Sequence, residues 1–450
     1  MDKESFLGAV RAAGVVGEGG AGFPAHVKYA AAADCVIANG CECEPLLHTD
    51  QHHMRRDAPR IVDALCHLKE ATGATRAVIA LKRKYGEARE SLAAAIGSRP
   101  VELALLDNFY PAGDEQILVR EITGRSVPPL GLPLAVGAVV ANVGTLVSVS
   151  RAIEGRALTH KIITVTGEVR RPGLLRVPVG TALSACLERA GGATVADPVF
   201  VIGGPMMGRV VDDAAAFSRE VVTKTSGGLI VLPRGHYLHV NARLPVQHLR
   251  ARAAAACIQC RMCTELCPRQ LIGHPFETHR VMRAFGAGAG AADPALRLAL
   301  MCCDCGVCEH FSCPMGLSPR RVNQSVKAAL RAAGLAYEGS REPSEARTRW
   351  RPFRRLPVPR LADRIGVAPY LGLPMADLGS LDPVRVRLPL RQHIGAPARP
   401  VVVAGQIVGE GDLVADIPEG SLGARIHAPI AGRVESVGGE IEIVMTGAGE

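Results

Sequence analysis

The chain has 450 residues, a formal net charge of +9, 48% hydrophobic residues and 21% charged ones, enough apolar content for about three domains and too much for a generally disordered chain. One Trp, six Tyr and nine Phe are too few to furnish the stacking platforms of a single-strand nucleic-acid binder, so no nucleic acid is expected as a partner. Nine of the fourteen cysteines fall between Cys257 and Cys313, which points away from a disulfide scaffold and toward metal ligation in a reducing, cytoplasmic setting.

The opening MDKESFLGAVRAAG carries acidic residues and no apolar run of secretory length. Residues 1–155 alternate Gly-rich loops with short apolar runs (35–37, 77–81 and 101–106) and a helical stretch at 58–71, the pattern of an α/β domain. The uncharged stretch 126–150 approaches the length of a membrane span. Its prolines, its glycines and Asn142 would break a lipid-exposed helix, so buried segments joined by a loop are expected, with no transmembrane segment. From residue 156 to 245 the run IITVTGEVRRPGLLRVPVG, a helix at 181–190 and a strand at 198–202 predict a small β-rich domain. Residues 246–335 hold the cysteine clusters between helical pieces. Residues 336–382, rich in Arg and Pro, read as a linker. Residues 383–450 are short strands and turns, a small all-β module in which 401–417 and 426–445 are loosely similar halves.

The cysteines carry the strongest signal. Cys257, Cys260, Cys263 and Cys267, followed by Pro268, have the spacing C-x2-C-x2-C-x3-C-P of bacterial ferredoxins. Three cysteines two apart wrap three corners of a [4Fe–4S] cube, and the fourth reaches a second cube. Cys302, Cys305 and Cys308 repeat the spacing, with Cys313 one residue further on than in the first run. Crossing the fourth ligands over assigns Cys257, Cys260, Cys263 and Cys313 to one cube, and Cys302, Cys305, Cys308 and Cys267 to the other. Cys303 is left as a non-ligand neighbour. Zinc also takes four thiolates, but zinc ribbons present separated pairs rather than triplets closed by Cys-Pro.

The N-terminal domain opens on Gly17-Glu18-Gly19-Gly20-Ala21-Gly22 with Lys28 close behind, a loop whose backbone N–H groups can approach an anion. It lacks the ending of a Walker loop. Three polar loops follow apolar runs: Asn39-Gly40-Cys41-Glu42-Cys43-Glu44, Gly113-Asp114-Glu115, and Asn142-Val143-Gly144-Thr145. In an α/β domain such loops converge where ligands bind. Cys41 and Cys43 are read as structural thiols.

In order and content these motifs resemble the flavin- and NADH-binding subunit of respiratory complex I and the RnfC component of the Rnf complex. The resemblance implies an FMN site with NADH beside it. Gly17, Gly19, Gly20, Gly22 and Lys28 would cradle the phosphate and ribityl chain, and Asn39, Asn142 and Thr145 would bond the flavin and its hydroxyls. Glu42, Glu44, Gly113, Asp114 and Glu115 would line the flavin and nicotinamide side. Residues 161–208 resemble the β-grasp (SLBB) module of that family, and the tail resembles a barrel-sandwich module. The tail cannot be a swinging-arm carrier, since Lys327 is the last lysine.

RnfC proteins have their barrel-sandwich module ahead of the flavin domain, whereas here it comes last. That order, together with Cys267-Pro268-Arg269, Gly273-His274-Pro275 and the run from Cys313 to Arg320, resembles the cobalamin reductases of propanediol-utilisation microcompartments. The implied architecture is multidomain α/β plus α+β: an α/β flavin-binding domain, a β-grasp domain, a two-cluster ferredoxin-like helical domain and a barrel-sandwich module. The implied activity passes electrons from NADH through FMN and two [4Fe–4S] clusters to cobalamin, inside a microcompartment, with a corrinoid adenosyltransferase and shell or enzyme contacts as partners. The alternatives are an Rnf-like exchange between NADH and ferredoxin, and a non-catalytic electron relay. No D-x-H-x-x-G corrinoid motif is present. His52, His53, His274 and His310 are weak corrinoid-ligand candidates. The arginine tract around Trp350 is read as solvated linker or as a docking surface.

Overall fold

The structure is a computed structural model, and it describes residues 1–446. The last residues of the 383–450 module therefore lie outside the described residues. β1 (Cys35–Gly40), β2 (Arg76–Lys82), β3 (Glu102–Leu106) and β5 (Ala138–Asn142) form a parallel sheet in the order β3–β2–β1–β5, and the short β4 (Phe109–Tyr110) stands apart from it. The central strands read as nearly unbroken apolar runs because helices bury both faces. Val36, Ala38 and Ile79 pack with Ile61, Leu65 and Leu146 on one side, while Ile37, Val78 and Val140 pack with Ile117 and Leu118 on the other. The helix Ala58–Thr72 stops at Gly73, whose φ of 69° suits a residue without Cβ. The uncharged stretch 126–150 divides into a 3-10 turn (Pro133–Val136), β5 and the start of the helix Val143–Ile153. Among the described residues no helix is long and apolar enough to cross a membrane.

β6 (His160–Gly167), β7 (Gly173–Pro178), β8 (Pro198–Ile202), β9 (Arg209–Val211) and β10 (Gly228–Pro233) belong to a second, six-stranded sheet. The helix Leu183–Arg189 lays Leu183 and Cys186 against Val165, Leu175 and Val231 of that sheet. In the cysteine-bearing region, the helices Val246–Ala256, Thr278–Gly286 and Pro319–Ala332 share a core through Leu249, Val281 and Val322.

The segment 336–382 is not the linker its composition predicts. β11 (Leu356–Pro357) pairs with β4, and β12 (Ala376–Ser380) completes the six-stranded sheet alongside β7. Between them the helix Val358–Arg364 buries Leu361 and Ala362 in one core with Tyr110 and Cys305. Pro352, Pro359 and Pro369 sit in helix first turns and Pro357 at a strand end, where a missing N–H costs little. Three of the segment's eight arginines are spoken for: Arg351 and Arg355 pair with Glu121, and Arg354 pairs with Glu265. The solvated-tract reading holds for the exposed Arg341, Arg349, Arg360 and Arg364, with Arg349 lying over the half-exposed Trp350.

The tail forms two small sheets. β13 (Arg385–Pro389) and β15 (Ile407–Val408) flank β19 (Glu440–Val444) and β18 (Gly432–Val437), while β14 (Arg399–Pro400), β16 (Leu413–Asp416) and β17 (Ile426–His427) make the other. Val386, Leu388, Val414, Ile426, Ile441 and Ile443 fill the space between them.

Candidate redox site

β1 and β5 run side by side with Asn39 opposite Asn142, and the chain turns outward in opposite directions from this pair. Such a switch point opens a crevice at the carboxyl ends of the strands. Here the crevice is a cavity of about 590 Å³. Gly19, Gly20, Asn39, Glu42, Glu44, Gly113 and Asn142 line it, and the roof comes from the six-stranded domain through Gly203, Gly204 and residues 223–227.

Not every residue predicted for this site faces it. Gly17 closes the base of the glycine loop through a bond from its N–H to Phe23 O at 2.9 Å. Gly22, at a φ of 73°, has no room for a Cβ between Thr225 and His393. Thr145 Oγ1 accepts from Glu18 N at 3.0 Å and so holds the loop rather than a ligand. Lys28 pairs with Glu115 away from the cavity, which removes both from the set of direct contacts. Asp114 caps the helix Glu115–Thr123 and takes a bidentate bond from Arg269 at 2.6 and 2.9 Å. It ties the flavin loop to the cysteine domain instead of lining the cavity.

The residues that do face it are pre-set. Asn39 donates to Gly113 O at 2.8 Å and accepts from Cys41 N at 3.1 Å. Asn142 caps the helix Val143–Ile153 and donates to both oxygens of Asp50 at 3.0 and 3.1 Å. Burial pushes the Glu42 carboxyl up to about 7, Lys82 opposing it, and burial raises Glu44 to about 7 as well. Glu44 accepts from Met206 N at 2.8 Å, yet its Oε1 is buried without a partner. Burial also raises Cys41 and Cys43, so both stay neutral thiols, and Cys43 Sγ accepts from Gly113 N.

Glu18, Asp50 and Lys161 line the cavity too without any expectation from the sequence, and His53, expected only as a candidate corrinoid ligand, lines it with them. Glu18 and Lys161 form a buried ion pair that Ser148 supports at 2.9 Å. Lys161 comes from β6 in the next domain, and no local pattern marks it. Asp50 and His53 sit on the helix Thr49–Arg56 directly after the acidic loop, a position that offered a hint.

A flavin nucleotide fits these surroundings. Around Gly20 a Cβ would meet nothing within 4 Å, leaving open backbone for a ribityl phosphate, and the free Glu44 Oε1 offers an acceptor for a ring N–H.

The barrel-sandwich module reaches this site. Ile394 N donates to Ala21 O at 3.0 Å, and the buried Lys224 ammonium bonds Gly14 O and Arg425 O. Three modules therefore meet behind the glycine loop.

Cys257, Cys260, Cys263 and Cys313 surround one pocket. Gln259 and Arg261 take left-handed φ of 53° and 67°, the tight curl that threads three ligands past one centre. Gln259 Nε2 donates to Cys257 Sγ at 3.1 Å, and Leu317 N to Cys313 Sγ at 3.4 Å. In the second run, burial and then the charge of Cys302, Cys267 and Cys263 push Cys308 well above its ordinary value, and Cys267 likewise acts on Cys302 and Cys305. Cys267 shares one core with Cys257, Cys302 and Cys313, between the two runs. The additional residue before Cys313 is absorbed by a one-turn π-helix, Cys308–Ser312. Cys303 shares a hydrogen bond with Cys305 and lies near Arg269. Among the described residues no three His, Cys, Asp or Glu side chains converge as a single ion would need, and a cube does not require that they do.

The two sites adjoin. Met206, bonded to Glu44, lies against Gly306 of the second cysteine run, and Tyr110 donates to Cys305 O at 2.7 Å.

Four family models match successive parts of the chain: the Nuo51 FMN-binding domain over residues 10–151, the SLBB domain over 162–210, a 4Fe-4S dicluster domain over 256–318 and the RnfC barrel sandwich hybrid domain over 379–447. Cobalamin reductase PduS of Citrobacter freundii is 42% identical over 97% of this chain and 95% of its own length. The protein of the same name from Salmonella typhimurium is 43% identical over 97% and 96%. The RnfC-type component of the Na(+)-translocating ferredoxin:NAD(+) oxidoreductase complex of Acetobacterium woodii is 32% identical over 60% and 59%. The chain belongs to the PduS cobalamin reductase family.

Proposed function

We propose that the protein uses NADH to reduce cobalamin, in the balance NADH + 2 cob(III)alamin → NAD⁺ + H⁺ + 2 cob(II)alamin, within a propanediol microcompartment. The observation that carries this reading is the contact run from the nucleotide-sized cavity through Glu44 and Met206 to Gly306, which joins the flavin crevice to the second cysteine set. FMN, when bound, would accept a hydride and release single electrons to cubes that carry one each. The eight assigned cysteines would hold those cubes.

The protein's own groups do the rest. Gly19 and Gly20 present backbone to the phosphate and ribityl chain, and Asn39 and Asn142 are fixed at the crevice by bonds to their own loops. Glu42 and Glu44, with pKa values near neutrality, can take or give a proton beside the ring. The glycines of the roof, Gly203 and Gly204, let the six-stranded domain approach closely and exclude water.

The test is anaerobic. Purified protein should contain about eight irons and one flavin per chain, bleach on mixing with NADH, and turn over cob(III)alamin. A loaded sample that does not bleach overturns the donor. One that bleaches but reduces ferredoxin and not cobalamin overturns the acceptor.

A further inference from the structure

A second cavity, about 820 Å³, lies where the helix Val143–Ile153, β6, β7 and the turn at 410–412 of the barrel-sandwich module meet. We propose that this cleft binds the phosphate of a nucleotide, with Arg151 and Arg176 as its anchors. Four arginines line it. Arg60 and Arg156 share the single carboxylate of Glu154, at 2.5 and 3.6 Å. Arg151 and Arg176 have no ion-pair partner among the described residues. The carboxylates that Arg151 does feel are already engaged, Asp57 by His53 and Glu18 by Lys161.

Two uncompensated guanidiniums in one cleft match a phosphate, which takes their planar forks bidentately. The rest of the lining offers polar partners for the remainder of a nucleotide. The Glu410 and Asp412 carboxylates and Thr159 can accept from sugar hydroxyls and amide N–H groups, and His427 carries a buried Nδ1 with no partner. After burial, Arg176 and then Arg151 depress His160 to about 4, which leaves its ring uncharged and records the positive field at this spot.

The cleft lies one side-chain layer from the flavin crevice. Arg151, Arg176 and His160 share a narrow gap with Glu18, His53 and Lys161, which line the other cavity. Two sources of nucleotide phosphate exist under the proposed function, on which this inference rests: the pyridine dinucleotide and the nucleotide loop of the corrinoid.

The experiment compares the wild-type holoenzyme with R151Q/R176Q and with R176Q alone, the latter at an exposed position. Flavin and iron content are measured on each. NAD⁺ and hydroxocobalamin binding are read by equilibrium dialysis, and NADH-dependent dye reduction by its kinetics. The double variant should lose about tenfold or more in affinity for one of the two ligands, and R176Q a smaller share. Weaker NAD⁺ binding with a raised KM for NADH and unchanged kcat assigns the dinucleotide. Weaker cobalamin binding with unchanged dye reduction assigns the corrinoid. Both affinities within twofold of wild type in both variants overturn the site while leaving the wild-type reaction intact, whereas a wild type that fails to turn over strikes the proposed function separately.

Discussion

The two cysteine sets are near copies in spacing and opposites in setting. The first lies at the surface: Cys260 is exposed, and Ile258, Met262 and Met315 stand uncovered around it. The second is enclosed. Cys305 and Cys308 are buried, and Cys305 shares a core with Tyr110 of the flavin domain, Val201 of the six-stranded sheet and Leu361 of the segment that composition marks as linker. The same motif thus serves two ends of one path. The enclosed set abuts the flavin crevice, and the open set is the one a partner can reach.

Breaking the enclosed set has the largest expected effect. Cys305→Ser should lower iron from about eight to about four per chain and cut NADH-driven cobalamin reduction by about a hundredfold or more, with flavin content retained. Cys260→Ser should remove the same amount of iron yet shift the urea midpoint less, because Cys260 packs against little. Equal midpoint shifts would erase the contrast.

Next comes the tie between the halves. Arg269→Met leaves Asp114 without its bidentate partner in a mostly buried position, and should cost about 3 kcal/mol of unfolding free energy by denaturant titration. A loss near zero would mean the pair is solvated and does not fasten the flavin loop to the cysteine domain.

The crevice itself gives a smaller, pH-dependent effect. The folded-state pKa of Glu44 lies above its unfolded value, so folding favours the protonated form. Its contribution is complete below about 4.5 and lost as pH rises through about 7. Glu44→Gln should flatten the fall in apoprotein stability across that window by on the order of 2 kcal/mol, measured as denaturation midpoint against pH. An unchanged slope would place the titration elsewhere. The smallest effect belongs to the exposed arginine tract: Arg349→Gln, stacked only on Trp350, should change stability by less than about 0.5 kcal/mol.

How far the sequence could be read follows from where the information sits. The cysteine triplets and the crossed-over fourth ligands are local spacings, and even the one-residue offset before Cys313 is visible there, although its form as a π-turn is not. The parallel sheet was legible because its strands are continuous apolar runs. Side-chain direction was not. Asp114 turns toward Arg269, 155 residues away, and Lys28 toward Glu115, 87 residues away, so a loop in the right place carried the wrong contacts. Residues 336–382 were misread because arginine and proline mimic a linker when their partners, Glu121 and Glu265, lie far off in the chain.

The bond from Ile394 to Ala21, and the Lys224 ammonium held between Gly14 and Arg425, place the barrel-sandwich module behind a glycine loop that precedes it in the chain. A nascent chain that has folded its α/β domain still lacks the backing of its glycine loop. Removing the barrel-sandwich module would therefore uncover the back of that loop, and a truncated chain should hold its flavin less firmly than the full one.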